Sequence, residues 1–181
     1  MDQKQFVKQI SDLFESACTE LFQSLDCNVE KLDASSVNFD TGDVPRATID
    51  AGADDFEMEL SLHLPFSGLA MTYPLQENIT TIDESELEDW IAELSNRLLG
   101  DVKVKLRAHQ CDLSVGLPSY CFGDDEPIST EGKECHVSVF NIDNEFFQAT
   151  MALELLSDPI AFSEQAVAAN DPVEQGVLEF F

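Results

Sequence analysis

A carboxylate and a carboxamide stand three residues apart in this sequence, at Glu93 and Asn96, and Asp89 lies four residues before the carboxylate. Residues three and four apart share one face of a helix. At about 100° per residue, positions 89, 93, 96 and 100 fall within an arc of roughly 60°. The apolar residues Leu87, Trp90, Ile91, Leu94, Leu98, Val102 and Leu106 centre on the opposite side. The spacing therefore predicts a helix with a buried stripe and with Glu93 and Asn96 on its open side. An amide is neither acid nor base near neutrality, but it offers a donor and an acceptor in fixed geometry and so can hold a water. Gly100 costs a helix about 1 kcal/mol against Ala. On the same arc it lowers the surface where something large could approach. Polar residues opposite an apolar stripe are ordinarily no more than a solvated helix face, so spacing alone does not make this a site.

The motif helix is expected over about 84–108. Thr81-Ile82-Asp83-Glu84 offers a capping box, and Ser85-Glu86-Leu87-Glu88 offers another one turn on. Acids crowd its first turns, while Arg97, Lys103, Lys105 and Arg107 fill its second half, an order that opposes the helix dipole at both ends. A first helix is expected over 5–25, where Phe6, Ile10, Leu13, Phe14, Ala17, Leu21 and Leu25 recur at helical intervals. Residues 56–64 alternate apolar and polar without a miss, the pattern of a half-buried strand. A hairpin is expected to turn through Pro65-Phe66-Ser67-Gly68 into a second strand over 69–75. Strands are also expected over 46–51, 111–116, 134–142 and 145–155, with Asp143-Asn144 as a tight turn and an edge segment near 35–40. Thr41-Gly42-Asp43 and Gly123-Asp124-Asp125-Glu126-Pro127 punctuate loops. The order gives an α+β domain, helices packed on a largely antiparallel sheet, over 1–155. Residues 156–181 carry five acids and no Lys or Arg. They read as an acidic C-terminal tail, weakly ordered or docked, with a short helix near 160–169.

Asp89, Glu93 and Asn96, followed by Pro118 with 21 residues between Asn96 and the proline, resemble the signature of the CheC/CheX/FliY phosphatases of bacterial chemotaxis. The gap before the proline is one residue short of that family's usual spacing. Asn96-Arg97-Leu98-Leu99-Gly100 leading to the Leu113–Pro118 segment is also similar to CheX. A single Glu-x-x-Asn helix favours the CheX type over CheC, which carries two. The resemblance implies a CheC/CheX-like fold and a phosphatase acting on the aspartyl-phosphate of a CheY-type response-regulator receiver domain. It implies that Asn96 places the attacking water and that Glu93 pairs with a receiver Lys. Asp89 would be a rim contact, Gly100 clearance, and Pro118 a shaper of the segment after the helix with no chemistry. Phosphoryl transfer passes through a loose transition state governed by positioning and electrostatics, so a water-orienting amide suffices. The chain would need no metal or cofactor of its own, the receiver bringing Mg²⁺. The resemblance also fits a homodimer, which the periodicity does not demonstrate. The rival readings are a CheX-like adaptor that docks a receiver or kinase without hydrolysis, and an acidic mimic of nucleic acid.

Composition narrows the partners. With 9 Lys+Arg against 36 Asp+Glu the formal charge is −27. That excludes nucleic acid, whose phosphates need clustered Lys and Arg, and anionic membranes. No run reaches the ~18 apolar residues of a membrane span and no signal core opens the chain, so a cytoplasmic protein is expected. The five cysteines form no C-x-x-C pair, as suits a reducing compartment. His63, His109 and His136 lack metal-ligand spacing. His63 and His136 fall on the polar beats of expected strands, where solvent exposure is expected.

Overall fold

Alternation builds the sheet. Phe56, Met58, Leu60 and Leu62 project from one face of the strand Phe56–His63 and are nearly sealed, while Glu57 on the other face is exposed. The computed structural model describes residues 1–35, 44–74, 83–121 and 130–166. Outside the described residues lie most of the expected edge segment near 35–40, Thr41-Gly42-Asp43, the Gly123–Pro127 loop, Thr81-Ile82 and positions 167–181.

The elements run α1 (Gln3–Gln23), β1 (Val29–Leu32), β2 (Arg46–Ala53), β3 (Phe56–His63), α2 (Phe66–Thr72), α3 (Glu84–Arg107), β4 (Ser114–Val115), β5 (Ser119–Cys121), β6 (Glu134–Ile142) and β7 (Glu145–Leu155). The strands form one antiparallel sheet of seven in the order β1-β6-β7-β3-β2-β4, with β5 also on β2. This is the expected α+β class. Two hairpins set its register. One joins β2 to β3, from Arg46↔His63 to Ala53↔Phe56. The other joins β6 to β7 through Asp143 and Asn144, at φ 50° and 77°, the left-handed pair that a two-residue hairpin needs.

Helices α1 and α3 bury their apolar stripes on the face bearing Leu60, Leu62, Phe147 and Met151, giving one continuous core. Phe6, Ile10, Phe14 and Phe22 of α1 are fully sealed. Phe22 lies 4.2 Å from the Phe147 ring, and Phe140 stacks on Phe147 at 4.7 Å. Glu15 pins α1 to the sheet: its carboxylate accepts from Ser138 Oγ at 3.0 Å and meets His136 Nε2 at 2.8 Å and Lys31. Burial pushes the Glu15 carboxyl up, but these three partners outweigh it and hold it below its ordinary range.

Three expectations are corrected. Residues 69–75 are not a strand paired with 56–64. Phe66–Thr72 forms α2 instead, and the hairpin partner of β3 is β2. Pro65, extended at φ −63° and ψ 156°, caps that helix. Leu69 and Thr72 are buried one turn apart, and Thr72 Oγ1 donates to the Gly68 carbonyl at 2.9 Å. His63 is buried and His136 half-buried, so neither stands free in solvent. His136 lies under α1, and His63 is 7% exposed on the other face of the sheet, with its Nε2 3.0 Å from Ser61 Oγ. Finally, residues 160–166 form no helix. The segment after β7 docks as irregular chain because its backbone groups find partners elsewhere. The amino terminus donates to the Ile160 carbonyl at 2.9 Å, and Ile160 N–H to the Met1 carbonyl at 3.0 Å. Ala161 N–H donates to Asp55 Oδ2 at 2.7 Å, and His109 Nδ1 donates to the Ser163 carbonyl at 2.7 Å. Phe162 fills a slot between Phe6, 5.2 Å away edge-on, and His109, stacked at 4.8 Å.

Two measurements test this account. Phe162→Ala should cost about 3 kcal/mol, the lower end for a buried aromatic. Amide exchange at Ala161 and Ser163 should accelerate beyond the global loss; unchanged local protection would mean that the ring does not anchor the segment. His63 gives a pH signature. Burial, aided by the Arg46 charge, pushes its pKa from 6.5 down to about 4. Between those two values the unfolded chain takes up a proton that the folded chain refuses, so stability falls as pH drops through that window. The loss reaches up to about 3 kcal/mol. In urea titrations at pH 7 and pH 4.5, His63→Gln should show a smaller acid-induced loss than the parent chain.

Candidate functional site

Helix α3 is started and stopped by its own sequence. Asp83 accepts from Glu86 N–H at 2.9 Å while the Glu86 carboxylate accepts from Asp83 N–H at 2.9 Å, a reciprocal capping box. The Glu86 amide, then the Ser85 hydroxyl, hold the Asp83 carboxyl below its usual range. At the far end, Lys105 and Arg107 lie in the last turn. Lys105 Nζ reaches Glu20 of α1 at 2.7 Å, and Arg107 meets Asp112 at 3.3 Å. Between the caps, Trp90, Ile91, Leu94, Leu98, Leu99, Val102 and Leu106 are buried. Their side fixes the rotation of the helix, and with it the face left to solvent.

That face carries Asp89, Glu93, Asn96 and Gly100, all exposed. Among the described residues Asp89 and Asn96 make no side-chain hydrogen bond or ion pair, so the Asn96 amide offers its donors and its acceptor to water or a visitor. The Glu93 side chain is 48% exposed and takes a hydrogen bond at 2.9 Å from Nε of Arg97, one turn on. A Cβ built on Gly100 would meet nothing within 4 Å. The glycine is thus not required by packing inside this chain, and Val104 beyond it is 70% exposed.

Pro118 is not on this face. It is half-buried between β4 and β5, both of which pair with β2. Gly116 N–H donates to the Asp50 carbonyl at 2.8 Å, and a Cβ there would come within 3.1 Å of the same oxygen. The ladder lapses at Leu117-Pro118, as a residue without an N–H requires, and resumes at Ser119↔Thr48. Two residues later Tyr120 lies beside the first turns of α3. Burial, then the charges of Glu88 and Glu84, push its hydroxyl up to about 12. Pro118 thus begins the strand that flanks α3.

The residue to which the sequence reading gave no role on this face is Arg97, which appeared there as one of the cations opposing the dipole and within the Asn96–Gly100 segment. Its signal was available: a Glu four residues before an Arg is the favoured orientation of a helical ion pair. The guanidinium also lies over the Trp90 ring, 5.0 Å from its centre. The Trp90 N–H donates to Thr72 Oγ1 at 3.0 Å.

A cleft of about 410 Å³ opens elsewhere, on the opposite face of the sheet, lined by Asp50, Glu57, Glu59, Ser114 and Lys133 among others. No residue of α3 lines it. Among the described residues no cluster of three His, Cys, Asp or Glu side chains is arranged to hold a metal ion, and no helix is long and apolar enough to cross a membrane. The carboxylate and the amide thus stand exposed on a helix outside that cleft, placed to reach a partner's surface.

No family model matches the sequence, and no curated protein matches it. Solved structures do. Chemotaxis protein CheX from Vibrio vulnificus is similar over 80% of this chain and 96% of its own, with a TM-score of 0.65 at 15% identity. CheX from Desulfovibrio desulfuricans is similar over 81% and 99%, at 0.64 and 16%. The chain has the CheX fold. A third similar structure is a complex of CheX with CheY, BeF3 and Mg²⁺ from Borrelia burgdorferi, over 79% of this chain and 96% of that one, with a TM-score of 0.60 at 14% identity. On this CheX fold the motif residues sit together on one element, α3, with Pro118 apart at the sheet edge.

Since nothing in the chain needs the glycine, Gly100→Ala should stabilise the isolated protein by about 1 kcal/mol, read as a raised urea midpoint. A lowered midpoint would reveal a contact at this position that the geometry lacks.

Proposed function

We propose that this chain is a phosphatase of a CheY-type response-regulator receiver domain, hydrolysing its aspartyl-phosphate with Asn96 orienting the attacking water. One observation carries the reading. On a CheX fold, an amide without partners among the described residues and a carboxylate project one turn apart from a capped helix into solvent. The similarity to a CheX recorded with CheY, BeF3 and Mg²⁺ supports a partner of this kind.

The chemistry follows from what the face has and lacks. It has no nucleophile, and the cation one turn from Glu93, Arg97, is engaged by it. Hydrolysis therefore proceeds at a phosphoryl group whose charge the receiver neutralises with its own Mg²⁺ and Lys. Glu93 offers its second carboxylate oxygen to that Lys and sets the register of the two proteins. Asn96 enters beside the phosphorus, accepts from the water with its carbonyl oxygen and holds it in line. The water attacks, the bond from phosphorus to the aspartyl oxygen breaks, and the receiver regains its carboxylate while phosphate leaves with the proton. Asp89 contacts the rim, and Gly100 lets the partner's surface approach the helix backbone. The excess of acid on the chain speeds encounter with a basic rim.

Asn96→Ala should leave the urea midpoint within about 0.5 kcal/mol of the parent, as for surface changes generally. It should slow loss of phosphate from a phosphorylated receiver by roughly 10²- to 10³-fold. Glu93→Ala should weaken docking as well as turnover. Single-turnover decay of the ³²P-labelled receiver measures both. Decay at the parental rate in both variants would overturn the assignment. A parent chain that binds a receiver carrying beryllofluoride, the chemical stand-in for the phosphoryl group, without hastening decay would leave the adaptor reading in its place.

A further inference from the structure

We propose that Arg97 is a positioning residue that holds the Glu93 carboxylate in its docking orientation before the partner arrives. This rests on the functional reading above and assigns a role on that face to a residue outside the Glu-x-x-Asn pair.

A lone Glu on an exposed helix face samples several rotamers, and fixing it on binding costs affinity. Here Glu93 is already fixed. Its Oε1 accepts from Arg97 Nε at 2.9 Å, leaving Oε2 for a visiting cation. Arg97 is fixed in turn, because its guanidinium lies over the indole of Trp90 at 5.0 Å. Trp90 is 5% exposed, and its ring N–H is tied to Thr72 Oγ1 at 3.0 Å, while Thr72 is tied to the Gly68 carbonyl at 2.9 Å. The chain of contacts runs from the α2 backbone, through the core, to the tip of the carboxylate. A planar guanidinium can stack on the indole and donate along its edge at the same time; an ammonium is a point charge that cannot do both. The pair also offsets the repulsion between Asp89 and Glu93, like charges one turn apart. Only 9 of the 181 residues are Lys or Arg, so a cation set among the acids of a docking face calls for a reason, and the bracing supplies one.

Trp90 is the chain's single tryptophan, and this makes the brace measurable without a partner. Arg97→Ala should raise quenching of Trp90 fluorescence by acrylamide in the isolated protein, and Arg97→Lys should raise it too. Unchanged quenching in both would overturn the stack and the proposal with it. With a phosphorylated CheY-type receiver as substrate, Arg97→Ala should raise KM roughly 2- to 10-fold, the range for losing one pre-ordered side chain, and leave kcat unchanged. Arg97→Lys should not restore KM. A fall in KM would make Arg97 a competitor for Glu93, and a fall in kcat alone would place it in the chemistry; either overturns the proposal, as does full rescue by Lys. A parent chain that does not hasten phosphate loss defeats the functional reading itself. A parent with normal turnover and an Arg97→Ala variant with unshifted KM defeats this inference alone.

Discussion

The rotation of α3 about its own axis is the constraint on which the rest depends. Ile91, Leu94, Leu98, Leu99, Val102 and Leu106 are each no more than 1% exposed. Burying six such side chains is worth on the order of 10 kcal/mol, even as an upper estimate. Turning the helix by one residue's angle would expose part of that stripe and drive acids into the core, where an unpaired charge is far more expensive than a lost methylene. The wet arc is thus set by what the opposite arc buries. Asn96 and Glu93 need no local restraint on their backbone to face outward together, because the core and the caps hold it for them.

The placement of the few cations follows a similar logic. Five of the nine basic residues make ion pairs among the described residues: Lys31 with Glu15, Arg97 with Glu93, Lys105 with Glu20, Arg107 with Asp112 and Lys133 with Glu59. Two of these join separate elements to α1, where a chain at −27 would otherwise set carboxylates against each other. Exposed pairs of this sort contribute at most about 1 kcal/mol each, so they do not hold the fold together. They choose which acids are quenched. Among the described residues Asp89 has no such partner and stays exposed on the arc of Glu93 and Asn96.

The legible parts of the fold were those in which one period dominated. Alternation placed β3 and β7, the Asp143-Asn144 turn placed the hairpin joining β6 to β7, and the apolar stripe placed α3 with its exposed residues. α2 was misread because Leu69, Ala70, Met71, Thr72 and Tyr73 form a short apolar run that suits a strand or a buried helical turn equally. What decides is tertiary: the Trp90 N–H donates to the Thr72 hydroxyl, which the helix over Phe66–Thr72 presents to it. His63 and His136 were misread for a related reason. A polar beat in a strand means the other face, and which face is wet depends on what lies over it. The docking of the segment after β7 left little mark, since most of its bonds are made by backbone groups, and backbone carries no sequence pattern. Arg97 was legible in spacing, but its stack on Trp90 requires the two side chains to converge, and periodicity alone does not establish that.

The fold by itself leaves the activity open, since many functions share one architecture and function resides in the site. What the site contributes is a restriction on the kind of substrate. Charge built up on phosphoryl oxygens must be met by cations, and Arg97, one turn from Glu93, is engaged by that carboxylate. A free phosphomonoester in water would find acids at Asp89 and Glu93 beside the amide. On the proposed reading the phosphoryl group arrives already surrounded by positive charge, held still, and reached through an opening that a helix can enter. Under the proposed function, then, the specificity of the enzyme is a consequence of its poverty. A surface that supplies an oriented water and a register-setting carboxylate acts on a partner that brings the rest of the active site with it.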